Sequence, residues 1–554
     1  MNAPAFRYVE QPPDWETHER PVLPGSPARL QHTLPRRIAY IMVGLFVGLV
    51  GGLGNGLVTA NLTSIQGQLG LTAVEAAWLP AAYVMVNVTA NLLVFKSRQQ
   101  LGLRVFAEWG LGIYALLALL HVFVEGYTMS IVVRAVAGFA GATTTSLAVM
   151  YVMQGFPASK VPSAFILGMN MSSIAVPLAW VLSPSLVNVN PWPHLYAFEA
   201  GLALMAFAAV VVLKLPRGLQ IHVFEPLDFV TFLLVAPAVG LLCAVLAQGV
   251  NAWWFNAPWL AYALIASLVL FALAALLEYS RRTPLIQLRW LMHPTTLTFM
   301  AGAIMMRFMI SEQNYGVVGL LRAMGVVPEQ LQALYGVIFV GMLLGVIVGA
   351  ATFSPQAILP QILTSILLIG VGGWLDLHST SLSRPHDFFF SQFLIAFSAA
   401  LFMGPVMMIG IQRALGKGLD HMVTFVVLFS VTQSLGGLLG PALLGSIQQQ
   451  RAQLYTQAIA ADMRVTNPLV AQRLAQQSQS LGRTITDPVQ RGAQSQAQLV
   501  QVIRREAAVR AFNDVFRVIG AMALAFLAWA FYRVLRQHML AWLARRRGEL
   551  PAPV

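Results

Sequence analysis

Charge is what this chain has least of. Asp, Glu, Lys and Arg fill 10% of its 554 positions, while 57% are hydrophobic. Soluble proteins carry charge at about a quarter of their positions, so there is too little polar surface here to cover a water-exposed fold. A mean hydropathy of +0.70 agrees. The single cysteine, Cys243, excludes an intramolecular disulfide and offers no metal cluster. No G-x-x-x-x-G-K-[ST] phosphate loop occurs, which argues against direct use of ATP. H-E-x-x-H, C-x-x-C and G-x-S-x-G are absent too, so neither an enzyme nor a bound metal or cofactor is expected.

What the sequence does hold is a series of apolar runs. A membrane span needs about 20 such residues. Fourteen candidates lie at 38–61, 76–97, 102–124, 128–153, 161–187, 194–214 and 228–249, then at 258–279, 295–321, 329–352, 357–376, 387–412, 420–447 and 514–535. Pro157, Pro191, Pro216, Pro294 and Pro328 punctuate them. The net charge of +13 does not point to nucleic acid, because Lys and Arg lie between the runs rather than in one patch. With the amino terminus in the cytoplasm, the short cytoplasmic segments and carboxyl tail hold eighteen Lys and Arg. The short external loops hold two, Arg322 and Arg384. This asymmetry predicts both termini inside. Residues 1–37, proline-rich and without an apolar leader, read as a cytoplasmic tail. Residues 448–512 form a long polar external loop, in which short helices are expected at 448–463 and 494–512, with turns at Asn467-Pro468 and Asp487-Pro488.

Local wording adds a family. "LTSIQGQLGLTAVEAAWLPAAYVM" (62–85), "RAVAGFAG" (134–141) and "QSLGGLLGPALLG" (433–445) resemble segments of the fourteen-span drug:proton antiporter branch of the major facilitator superfamily, the EmrB/QacA type. The resemblance implies an all-α polytopic membrane protein with the major facilitator fold. Two six-helix halves, 38–214 and 281–535, would flank a central inserted helix pair within 215–280, with the loop 448–512 inside the second half and a cytoplasmic tail at 536–554. It implies a proton-coupled exporter of amphipathic or hydrophobic small molecules in the bacterial inner membrane, surrounded by lipid. A periplasmic adaptor and an outer-membrane channel would be its partners. Departures accompany it: the acidic position of the family's first helix falls on Gly54, that of the loop motif before Gly102 falls on Gln99, and the fifth-helix motif is reduced to Val176-Pro177.

Ionisable residues inside a membrane are functional candidates by default. The proton-coupling candidates are Glu312, Arg134 and Arg307. Arg134 is the arginine of the fourth-helix segment, with bonding to neighbouring carbonyls as the structural alternative. Glu312 reads as the one deep carboxylate of the second half, with an ion pair as the alternative; Arg307, five residues away, points to a different side of the helix. Glu108 reads as a local partner of Arg104, and Glu199 as a residue at headgroup level. The substrate-cavity candidates are Asn87, Asn91, Met305, Met309, Gln392, Met403 and Met407. Flexible thioethers suit loosely specified apolar ligands, although Met clusters also fill cores, and Tyr83, Asn87 and Asn91 share a face suited to helix packing. An exporter dedicated to one metabolite (an aromatic acid, a siderophore or a lipid-like compound) and a transport-inactive scaffold or sensor are the competing readings.

Overall fold

The computed structural model describes residues 8–546 except 12, 17, 22–24, 125, 188–192, 282, 419 and 464–466. The expected turn at Pro191, the charge at Arg282 and the ends of both tails lie outside the described residues. Fourteen long helical rods follow one another: α1 (Leu34–Ala60), α2 (Ala73–Leu101), α3 (Leu103–His121), α4 (Tyr127–Gly155), α5 (Val161–Val187), α6 (Pro193–Val212) and α7 (Pro226–Gln248). Then come α8 (Pro258–Ser280), α9 (Pro294–Ser311), α10 (Pro328–Ala351), α11 (Ile358–Leu375), α12 (Phe389–Leu415), α13 (Asp420–Asp462) and α14 (Pro488–Arg546). Among the described residues thirteen helices are long and apolar enough to cross a membrane. The remaining rod is α9, which continues through a π-turn, Glu312–Val317, into Val318–Ala323.

The sequence marks most helix starts. Pro226, Pro258, Pro294 and Pro328 stand in first turns, where a missing N–H costs nothing. At α2 a capping box closes on itself: Thr72 N–H donates to Glu75 Oε2 at 2.8 Å, and Glu75 N–H donates back to Thr72 Oγ1 at 3.3 Å.

With little hydrophobic drive between helices in lipid, close approach decides packing. A Cβ at Gly138 on α4 would sit 2.3 Å from the Tyr83 carbonyl oxygen of α2, so glycine lets the two backbones meet. In the first half α1 packs on α4 and α5, α2 on α4, and α3 on α6. In the second, α10 packs on α12, α11 on α12 and α14, and α9 on α13. The halves meet where α5 packs on α10 and α2 on α13. The helix pair α7–α8 docks on α2 through a buried ionic network near the face at which α1 begins and α14 ends, the terminal face. Lys96 donates to Asp228 Oδ2 at 2.5 Å, and Arg281 reaches Asp228 Oδ1 at 2.9 Å, Glu278 Oε1 at 2.7 Å and Glu225 Oε2 at 3.1 Å.

One expectation changes. The helices in 448–512 are extensions of the spanning ones: α13 runs on to Asp462 and α14 begins at Pro488, with a separate helix, Pro468–Leu481, between them. Asn467 and Asp487 mark starts, accepting from the N–H groups of Leu469 at 3.1 Å and Val489 at 2.9 Å. Val470, Leu499 and Ile503 bury there with Ile459 and Leu474 as a small core. The described residues of the amino-terminal segment lie along the segment after α6: Val9 N–H donates to Gln220 O, Gly25 N–H to Leu219 O and Ala28 N–H to Arg217 O.

Candidate functional site

A cavity of about 410 Å³ lies between the halves. Its walls come from α2, α4 and α5 on one side and α12 and α13 on the other, and helix-end residues such as Arg98, Val161, Leu415 and Met422 carry it to the terminal face. At the opposite face α5 and α10 are clasped. Trp180 and Tyr335 stack with ring centroids 4.6 Å apart, Arg322 lies 4.7 Å over Trp180, and Gln332 Nε2 donates to Val181 O at 2.7 Å.

Of the sequence candidates, Asn87, Asn91, Met403 and Met407 line this cavity. Asn87 Nδ2 also donates to Gly138 O at 3.0 Å, so it serves helix packing too. Met309 is wholly buried and Met305 packs on the same hydrophobic cluster, both away from the cavity wall. The walls hold further methionines that composition alone did not single out, Met150, Met153, Met169 and Met422 among them.

Gln392 sits elsewhere, at the centre of a buried carboxyl assembly. Its Nε2 lies 3.2 and 3.1 Å from the two Glu312 oxygens and 3.1 Å from Asp376 Oδ2. The carboxyls of Glu312 and Asp376 are themselves within hydrogen-bonding reach. Glu312 is 0% exposed, Gln392 0% and Asp376 3%. Among the described residues no cation pairs with either carboxyl. The π-turn that starts at Glu312 lies where α9 faces α12, and Gln313 Nε2 donates to Gln392 O at 3.2 Å. Glu312 is therefore not the lone deep carboxylate expected. Asp376 ends an apolar run, which in sequence looks like a surface position, and the 3-10 turn Asp376–His378 folds it inward. Arg307 does not join this assembly. It faces Gly436 and Gly437 of α13, with its Nε unpartnered.

In the first half Arg134 is fully buried. Nη1 donates to Gly54 O at 3.0 Å, Nη2 to Asn55 Oδ1 at 2.5 Å, and the guanidinium lies 4.7 Å over the Tyr83 ring. A Cβ at Gly54 would meet the Tyr114 hydroxyl at 2.3 Å and Glu199 Oε1 at 2.6 Å. The space that a side chain on α1 would take is thus filled by a carboxyl from α6. Glu199 is buried, not at headgroup level, because α1 and α3 pack over that end of α6. Glu108 likewise pairs with Lys214 at 3.5 Å, while Arg104 donates to Leu215 O, so the local Arg104–Glu108 pair is not made.

Chemically, the interior holds two buried carboxyl sites besides the ionic network of α7 and α8, and a separate, mostly apolar chamber between two helical bodies that reaches the terminal face. It can hold a small amphipathic molecule and bind protons. No cluster of His, Cys, Asp and Glu that could hold a metal ion is found among the described residues. The comparisons agree with this architecture. No curated protein sequence matches the chain. The human organic anion transporter MFSD10 (TETRAN) superposes with a TM-score of 0.53 at 13% identity, covering 89% of this chain and 100% of its own. A bacterial homologue of the human lysosomal transporter Spinster, inward-facing and unoccupied, gives 0.52 at 12% identity, covering 91% and 99%. The nucleoside transporter NupG gives 0.50 at 11%, covering 89% and 99%. These likenesses concern the fold. The sequence model described as Major Facilitator Superfamily matches residues 44–441, well over half of the chain, and the protein belongs to that superfamily of membrane transporters.

Proposed function

We propose that this transporter is a proton-coupled exporter of amphipathic or hydrophobic small molecules, of the fourteen-span drug:proton antiporter type, working in a bacterial inner membrane with both termini in the cytoplasm. The observation that carries the coupling is the Glu312–Gln392–Asp376 assembly. Two carboxyl groups in mutual contact, without a cation, cannot both ionise cheaply in a low-dielectric interior. The pair therefore holds a proton that it can exchange when the site is wetted.

The route to substrate runs along α12. Gln392 and Met403 are eleven residues apart on that helix, about 16 Å of rise. A change in the charge of the carboxyl pair alters what Gln392 must satisfy, and so biases the position of a helix that also walls the cavity. Rocking of the two halves about the chamber then exposes it to either side. Arg134 and Glu199 form the corresponding charged site in the first half, with Glu199 supplying the carboxyl that α1 lacks at Gly54. The domain division is read as halves at 38–214 and 281–535 around the pair in 215–280. The polar hairpin built from 448–512 is read as the docking element for a periplasmic adaptor and, through it, an outer-membrane channel. Most of its apolar face is used internally, leaving Leu454 and Val502 exposed as the contact points.

The test uses proteoliposomes loaded with a pH dye and offered matched cationic, neutral and anionic naphthyl compounds. An antiporter moves protons opposite to at least one of them, and a protonophore abolishes its accumulation. Accumulation that ignores an imposed pH gradient would refute the coupling.

A further inference from the structure

Among the described residues that line the cavity, Arg98 alone carries a charge. It stands in the last turn of α2 and is 6% exposed. Its Nη1 donates to Ser146 Oγ at 2.7 Å, and its guanidinium lies 4.9 Å over the Phe95 ring. Neither neighbour is a counter-ion. The Nε atom has no acceptor, and among the described residues no carboxylate pairs with this side chain. Lys96, two positions earlier, shows that acids are within reach of this end of α2: it is buried against Asp228 at 2.5 Å. Arg98 is turned the other way, toward the chamber.

A guanidinium taken out of water without an anion is costly, and its planar fork suits a carboxylate or a like oxyanion. The rest of the wall fits the same partner. Among the described residues no Asp or Glu lines the chamber, so no carboxylate there would pair with an ammonium group. On α13 Gln433 presents an amide Nε2 that also lacks an acceptor. The remaining surface is thioether and ring: Met150, Met403 and Met407 with Phe165 and Phe429. The chamber therefore has unmet donors beside a pliable apolar surface. A chamber of about 410 Å³ falls in the range of small-molecule sites.

We propose that Arg98 binds the acidic head group of the transported molecule, so that the cavity selects amphipathic organic anions, with an aromatic or alkyl body on the methionine wall. This rests on the reading of the chamber as the substrate site, and not on proton coupling. An ammonium compound of the same shape would be repelled by Arg98, and a neutral alcohol could accept from its Nε but would leave the guanidinium charge without a counter-ion.

The test is calorimetric titration of the full chain, purified in a non-ionic detergent, with 1-naphthaleneacetate, 2-(1-naphthyl)ethanol and 2-(1-naphthyl)ethylamine. The acid is expected to bind at least tenfold more tightly than the other two. Arg98→Gln should bring acid and alcohol to within about twofold of each other, and Arg98→Lys should keep part of the preference. Equal binding of the three probes, no binding of the acid, or an undiminished acid preference in Arg98→Gln overturns the proposal. Displacement of the acid by added phosphatidylglycerol would assign Arg98 to a lipid head group, and overturns it too. Met407→Trp, which fills the chamber, separates the two levels of the argument. If the acid still binds to it and still depends on Arg98, the chamber is not the substrate site; if all binding is lost, the chamber reading stands and the Arg98 variants alone decide the anion preference.

Discussion

Replacing Asp228 with alanine isolates the contact that ties α7 and α8 to α2. Asp228 is fully buried and accepts from Lys96 at 2.5 Å and from Arg281 at 2.9 Å. Arg281 keeps Glu278 at 2.7 Å and Glu225 at 3.1 Å when Asp228 is removed. Lys96 keeps no carboxylate among the described residues, and at 7% exposure it cannot reach water freely. A stranded buried charge costs about 3–5 kcal/mol. The expected loss is therefore about 3–5 kcal/mol, read as a shift in an unfolding titration of the purified protein. Adding Lys96→Met removes the stranded charge and should return the loss to about 1–2 kcal/mol, the remainder being mostly the lost cap at the start of α7, where Asp228 Oδ2 accepts from the Glu225 N–H at 2.9 Å. An Asp228→Ala loss below about 1 kcal/mol, or a double variant no better than the single one, would refute the reasoning.

Alanine at Gly54 places a methyl group against the Tyr114 hydroxyl and the Glu199 carboxyl; overpacking of this kind costs about 1–3 kcal/mol. Gradient-driven flux should fall several-fold, and Tyr114→Phe in the same background should recover part of it. Reporter fusions after Arg483 and after Arg547 should report opposite compartments; one compartment for both would break the fourteen-helix topology. Replacing 465–495 by a short Gly/Ser linker deletes Val470 and Leu474 from the hairpin core. Capture of a periplasmic adaptor should then be lost while flux in adaptor-free proteoliposomes persists, and unchanged capture would remove the docking role.

The spanning helices were legible because the bilayer demands runs of one length, and the chain supplies them between prolines and charges. Breaks inside a run were not legible. The π-turn at Glu312–Val317 lies within an apolar stretch and has no Pro or charge pattern of its own beyond Glu312. Pairings between helices were the least accessible. Glu312 and Asp376 are brought together by α9, α11 and α12, and nothing local tells an aspartate at the end of an apolar run whether it faces water or folds inward. Glu199 was misplaced for the same reason, since its depth depends on α1 and α3 covering the end of α6. Gly54 was the available signal, because a glycine where a relative carries an acid leaves room for another helix to supply one. In the loop 448–512 Asn467 and Asp487 stand where helices start, but length alone could not show that α13 and α14 continue past the apolar runs as single rods.

Glu312 is the proposed carrier of the coupled proton. The decisive measurement is accumulation of a naphthyl probe in proteoliposomes under an imposed pH gradient, comparing the parent protein with Glu312→Gln, alongside equilibrium binding of the same probe. In Glu312→Gln, binding is expected to be largely kept while gradient-driven accumulation is abolished. Normal pH-dependent accumulation by Glu312→Gln would contradict it.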